Sequence, residues 1–196
     1  LSNAHNNLGT VFQEQGQLAR ALQHYERALL LNPKDADIHN NLSTAFRIQG
    51  NLVAALKECE QALLLKPAAP HIHYHQSYIL LMMGNFAQAW REYLWRPGRR
   101  VYYTKMQRTP LEEVALLPST LSGQRLLLDR EQGLGDELFF LRFAPLLKSR
   151  GAWIAYRGTN KLTSILQRQP WLDYLVTETD QPVLAVNQTL LIGDLP

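Results

Sequence analysis

Apolar and small residues recur at helical spacing through the first half of the chain, and the whole pattern repeats every 34 residues, marked by Gly16, Gly50 and Gly84. The segments AHNNLGTVFQEQG, IHNNLSTAFRIQG and IHYHQSYILLMMG align around these glycines without gaps. LARALQHYERALLLNP, LVAALKECEQALLLKP and FAQAWREYLWR follow in register. Self-similarity at a fixed period is the mark of stacked supersecondary units. Each unit predicts two antiparallel helices. Small residues belong where the helices approach closely: Gly9, Ser43 and Ser77 on the first helix, Ala21, Ala55 and Ala89 on the second. Leu8, Phe12 and Tyr25, with their counterparts Leu42, Phe46 and Cys59, are expected to fill the space between them. The glycine before each turn permits a positive φ at the helix C-terminus, and Pro33 and Pro67 stop the second helix. The third unit departs, because Gln76 stands where Leu8 and Leu42 stood and no alanine-then-proline ending follows Tyr93. It is expected to be the last repeat, adapted to meet something other than another repeat.

After Arg96 the helical period fails. Pro97, Gly98, Pro110, Pro118 and Gly123 make residues 97–123 a connector. Its Tyr102, Tyr103, Leu111, Val114, Leu116 and Leu117 call for burial, so it is expected to pack along the last hairpin and the next domain. From Gln124 the pattern alternates. Arg125 to Asp129 suits a buried parallel strand. A glycine turn follows, then a helix through LFFLRFAPLLKSR that should kink at Pro145. Trp153 to Arg157 reads as a second strand, Thr159 as the cap of a helix to about Gln169, Leu172 to Thr177 as a third strand, and LLIGD as a fourth. Strands alternating with helices imply a parallel sheet with right-handed crossovers. The expected fold class is therefore α plus α/β: a helical-hairpin solenoid over 1–96, the connector, and a partial Rossmann-like domain over 124–196.

Composition changes this picture little. The chain has 196 residues, 46% hydrophobic and 19% charged, with a net charge of +3. That charge is too small to argue for nucleic acid, and the aromatic residues follow packing positions rather than a stacking platform. Arg96, Arg99, Arg100, Lys105 and Arg108 cluster, as a solvated linker or as a patch for phosphate or a partner. Cys59 is the only cysteine. An internal disulfide and a thiolate metal cluster are excluded, which fits a reducing, cytoplasmic setting. Cys59 occupies the position of Tyr25 and is expected to be a packed hydrophobe. No apolar run reaches the roughly 18 residues that cross a bilayer, and no leader pattern opens the chain. His71, His73 and His75 invite a metal reading, but His73 points away from the other two on a helix and no carboxylate adjoins them in sequence. No metal is expected.

Residues 4 to 96 resemble the tetratricopeptide repeat (TPR) family. Such proteins generally bind extended peptides or partner helices in a groove lined by the first helix of each hairpin. Helical spacing assigns that face to Asn6, Asn7, Thr10 and Gln13, to Asn40, Asn41, Thr44 and Arg47, and to Tyr74, His75, Tyr78 and Leu81. Asn7 and Asn41, just before the leucine, resemble the asparagine ladder of TPR arms in O-linked sugar transferases, where amides grip peptide backbone. The alternative is that they cap turns or are solvated. At His75 this ladder is expected to break.

Gly133-Leu134-Gly135-Asp136 falls between a strand and a helix, where glycines allow close ligand approach and helix amides favour an anion. It lacks the third glycine of the dinucleotide fingerprint, and Asp136 equally suits a helix cap. The run GQRLLLDREQGLGDELFFLRFAPLLKSRGA, preceded by WREYLWR, resembles the glycosyltransferase-like domain that follows TPR arrays in many bacterial proteins. That domain is similar to the ADP-heptose:lipopolysaccharide heptosyltransferases, of GT-B fold. The resemblance implies Asp136 as general base on an acceptor hydroxyl, Gly133 and Gly135 as the ligand-binding turn, and a sugar nucleotide as donor in a longer parent. The donor is held mostly by the C-terminal half of that fold, so this stretch, expected to stop within the first half, is expected to bind rather than catalyse and to hold no cofactor. The rival reading is a pure TPR adaptor whose α/β part is a non-catalytic cap.

Overall fold

In the computed structural model the described residues are 1–105, 117–130, 133–158, 160–176 and 185–195. They fall into two compact units, Leu1–Pro97 and Gly98–Pro196.

The first unit is six helices in three hairpins: α1 (Ser2–Glu14) with α2 (Leu18–Leu31), α3 (Ala36–Gln49) with α4 (Leu52–Leu65), and α5 (Pro70–Met82) with α6 (Phe86–Tyr93). Each helix packs on the next, and α3 also touches α1 and α5. Gly16, Gly50 and Gly84 take φ of 74°, 86° and 77°, a conformation that side chains disfavour. Asp35 caps α3 by accepting from the amides of Asp37 and Ile38, and Asn51 caps α4 by accepting from Ala54.

The small residues sit where the pattern places them. Ala21, Ala55, Ala89, Ser43 and Ser77 are fully buried. A Cβ on Gly9 would lie 2.5 Å from the Tyr25 ring, so only glycine admits the tyrosine there. One core layer gathers Ala21, Tyr25, Leu42 and Ala45; the next gathers Ala36, Ala55, Cys59, Ala62, Ile72 and Ile79. Leu8 corrects an expectation, because it is 44% exposed whereas its counterpart Leu42 is 3% exposed. Leu42 is covered by Ala21 and Tyr25 from the hairpin before it. No described helix occupies the corresponding place over Leu8.

The second unit opens with α7 (Pro97–Lys105, from Gly98 onward). Part of the expected connector is thus a helix. Arg99 is 2% exposed and its Nε donates to Asp194 Oδ1 at 3.0 Å. In the first unit, Arg96 is fully buried with its guanidinium over the Tyr93 ring. These two arginines are structural, not a solvated linker. The side chains of Arg100, Tyr103 and Lys105, and all of Arg108, Leu111, Val114 and Leu116, lie outside the described residues.

A four-stranded parallel sheet follows, in the order β3-β2-β1-β4. Its strands are β1 (Arg125–Asp129), β2 (Trp153–Arg157), β3 (Tyr174–Val176) and β4 (Gln188–Leu191). The first two match the apolar runs in the sequence. The fourth starts earlier than expected, and Ile192–Asp194 turns as a 3-10 helix instead of continuing it. The helix after β1 is not kinked but broken, into α8 (Leu134–Leu141) and α9 (Ala144–Ser149). Pro145 cannot donate to the carbonyl of Leu141, four residues back, and its ring crowds that carbonyl, so α8 ends there. After β2 a 3-10 turn (Asn160–Leu162) and a short α10 (Thr163–Leu166) stand where a longer helix was expected. Thr159, its expected cap, and Thr177 at the end of the third run lie outside the described residues. Between α9 and β2, Gly151 turns with φ 95°. Asp173 then fixes the start of β3, accepting from the Ile154 amide at 2.7 Å and from Lys148 at 2.6 Å.

Candidate functional site

The face made by α1, α3 and α5 carries a ladder of side-chain hydrogen bonds that sequence spacing did not reveal. Asn41 Nδ2 donates to Asn6 Oδ1 at 3.0 Å. One repeat later, His75 Nδ1 meets Asn40 Oδ1 at 3.0 Å. Both pairs span 35 residues. This row of bonds, distinct from the expected Asn7–Asn41 ladder, continues at His75, where the imidazole N–H takes the place of the amide donor.

The second nitrogen of that ring is also engaged. Arg47 Nε donates to His75 Nε2 at 3.2 Å, so Nδ1 carries the proton and the ring is neutral. Burial lowers its pKa to about 4, and the neighbouring Arg47 charge acts in the same direction.

Other candidates on this face have internal partners. Thr10 and Thr44 donate to the backbone oxygens of Asn6 and Asn40. Tyr25 donates to Thr10 and Gln13, each at 3.3 Å. Tyr78 donates to Tyr74, oxygen to oxygen 2.5 Å, and their rings meet edge-on at 4.9 Å. Asn7 is exposed, and Leu81 is half-buried. The ladder holds one half of each amide and leaves the other half for a ligand: Asn6 keeps its donor and Asn41 its acceptor.

The histidine triplet divides among separate partners. His73 binds Glu92 at 2.5 Å and the Pro67 carbonyl at 2.7 Å, and stacks on Trp95. Burial disfavours its charged form, but the bonds to Glu92 and Pro67 outweigh this and raise its pKa. His71 lies 3.6 Å from Asp37. Carboxylates thus do adjoin these histidines in space, on other helices. Among the described residues no three potential ligands gather around a metal position. Cys59 is buried, its Sγ 3.6 Å from the Ile72 carbonyl, and burial pushes its thiol up to about 12.

At the carboxyl end of β1 the glycine turn leads into α8. Gly133 is the N-cap, and no side chain caps the helix. Asp136 is therefore not the cap; it lies half-buried in the first turn, where its charge suits the helix dipole. Gly133 and Gly135 are exposed; neither has a positive φ, and a Cβ on either would meet nothing within 4 Å. The buried carboxylate is the next one. Glu137 is fully buried and accepts from Tyr156 of β2 at 2.6 Å. Burial, then this carboxylate, raises the Tyr156 pKa. The sequence held a signal for it: Glu137 stands three and four residues before Phe140 and Leu141, both buried, and so lies on the face that α8 buries. Asp129 and Arg157, paired in register at the ends of β1 and β2, form an ion pair.

Residues 6–71 match the family model described as Tetratricopeptide repeat. No curated protein matches the chain. Among solved structures, the second TPR of Spaghetti bound to an HSP90 peptide is 20% identical, covering 48% of this chain and 87% of that one, with a TM-score of 0.47. MamA is 19% identical, covering 54% and 68%, with a TM-score of 0.47. The type III secretion translocator chaperone SycD of Yersinia enterocolitica is 16% identical, covering 54% and 86%, also at 0.47. No described helix is long and apolar enough to cross a membrane.

Proposed function

Taking the N-terminal hairpins as a TPR repeat region, we propose that they form a scaffold that binds an extended segment of a partner protein on the face of α1, α3 and α5. One observation carries this reading. The bonds from Asn41 to Asn6 and from His75 to Asn40 link three successive hairpins and hold the amides of the first two in fixed orientation. An oriented amide with a donor or acceptor to spare meets peptide backbone without regard to its side chains. It also spares the ligand the cost of ordering those groups. Replacing both Asn6 and Asn41 by alanine should weaken binding of a groove peptide at least tenfold, read by fluorescence anisotropy. Unchanged affinity would end this assignment.

A second reading concerns residues 124–196, as the Rossmann-like first half of a glycosyltransferase-like domain in a longer cytoplasmic protein. It is supported by the parallel order β3-β2-β1-β4 with a glycine turn at the carboxyl end of β1, where open parallel sheets bind ligands. It is supported too by Gly133 and Gly135, since nothing inside the fold demands glycine at either position. In this reading Asp136 takes a proton from an acceptor hydroxyl, and a sugar nucleotide is the donor. Asp136→Asn in the parent protein should then cut sugar transfer by about 100-fold or more, the usual scale for a general base. Equal transfer by both proteins would remove Asp136 from that role.

A further inference from the structure

Positions 34 apart occupy equivalent places on the peptide-binding face, and their chemistry changes in one direction along it. Asn6 and Asn40 give way to Tyr74, and Thr10 and Thr44 give way to Tyr78. Gln13 is followed by Arg47 and then Leu81; Glu14 is followed by Ile48 and then Met82. The first hairpin thus offers amides and hydroxyls. The third offers a shelf of two tyrosines with an exposed methionine one turn further on, Tyr78 being 41% and Met82 55% exposed. Between them stands Arg47, held by its Nε on His75. No carboxylate pairs with Arg47 among the described residues. Both nitrogens of His75 are engaged, so its ring has no hydrogen bond left for a ligand, and the groups that distinguish this end of the face are Arg47 and the tyrosine shelf.

We propose that this groove selects an extended peptide in which an acidic side chain lies about three residues from a large apolar one, the acid seated at Arg47 and the apolar side chain on Tyr74, Tyr78 and Met82. The inference rests on the peptide-binding reading above. The spacing follows from geometry. Packed helix axes lie about 8–10 Å apart, and an extended chain advances about 3.3 Å per residue. One step from α3 to α5 is therefore about three residues. A planar guanidinium held at one nitrogen presents its remaining N–H groups to a carboxylate in fixed geometry.

The test is selection of a displayed random nonapeptide library on the whole chain, followed by anisotropy titration of the enriched peptides. Enrichment of an acid about three residues from Leu, Phe, Met or Ile, in one chain direction, is the expected result. Changing the acid to its amide should then weaken binding at least tenfold. Arg47→Gln should abolish that difference, and Arg47→Lys should retain most of it. Tyr78→Ala should abolish the preference for the apolar residue and leave the acid preference intact. Enriched peptides without this pairing, whose binding the Asn6 and Asn41 double variant still destroys, would overturn the selectivity but keep the groove. No enrichment at all would overturn both. Self-association of the chain that Tyr78→Ala dissolves in sedimentation would assign the shelf to a second copy instead, and would overturn the peptide proposal.

Discussion

At the scale of single residues, His75 joins structure to measurable chemistry. Its pKa is lowered to about 4, so the fold favours the neutral ring. Above the unfolded value of about 6.5, folded and unfolded chains are both neutral at this site and its contribution to stability is complete. As the pH falls from about 6.5 towards 4, the unfolded ring takes a proton that the folded ring refuses. Stability then drops, by at most about 1.4 kcal/mol per pH unit from this group. Imidazole nitrogen shifts followed by NMR should show the Nδ1–H tautomer and a midpoint near 4. A midpoint near 6.5 would mean that the ring is not buried beside Arg47 as the fold places it. Gly9 gives a second residue-scale expectation. Gly9→Ala forces a methyl group into the Tyr25 ring and should cost about 1–3 kcal/mol in urea unfolding. At Cys59 the buried thiol should resist alkylation by iodoacetamide until the chain unfolds.

At the scale of elements, the hairpins were legible because their signals are local. Glycine at 16, 50 and 84 and proline at 33 and 67 punctuate the helices within one or two residues of where they end. Asp35 adds a cap with two amide bonds, and Asp35→Ala should lower the unfolding free energy by about 1 kcal/mol. No loss in urea titration would mean that the exposed cap is replaced by water. The strands β1 and β2 were legible for a similar reason, as short apolar runs between turn residues. The break between α8 and α9 was only half legible. Proline marks the place, but whether a helix bends or stops depends on what surrounds the carbonyls it releases. The helix within Pro97–Lys105 was hidden by its opening Pro-Gly pair. Proline at a first helical position is compatible with a helix, and the buried Arg99–Asp194 pair adds an anchor 95 residues away that no local pattern contains.

At the scale of the whole molecule, the Leu1–Pro97 unit has its own core layers around Tyr25, Leu42, Cys59 and Ile72. A unit with its own core should fold alone. Residues 1–97 expressed by themselves should therefore keep a helical far-ultraviolet spectrum and melt in one cooperative step. A gradual melt would show that the hairpins depend on the remainder of the chain. Spacing predicted a face on α1, α3 and α5, and the hydrogen bonds that cross those helices are not the ones it named. The pattern pointed to Asn7 and Asn41 as the ladder, whereas the structure joins Asn41 to Asn6 and His75 to Asn40. In the second unit it pointed to Asp136, and the fold buries Glu137.

The sequence by itself determined the period, the two helices of each repeat, the small residues at their crossings and the apolar strands. Each of these rests on interactions within about one turn or one hairpin, and spacing alone encodes them. Tertiary structure decided what spacing cannot: that His75 continues a row of amides, that Leu8 is exposed while Leu42 is covered, and that Arg96 and Arg99 are buried. The physical reason is the same each time. A bond between residues 35 or 95 positions apart exists only once helices have stacked or a chain has returned on itself, and stacking sets which of two adjacent side chains faces its partner.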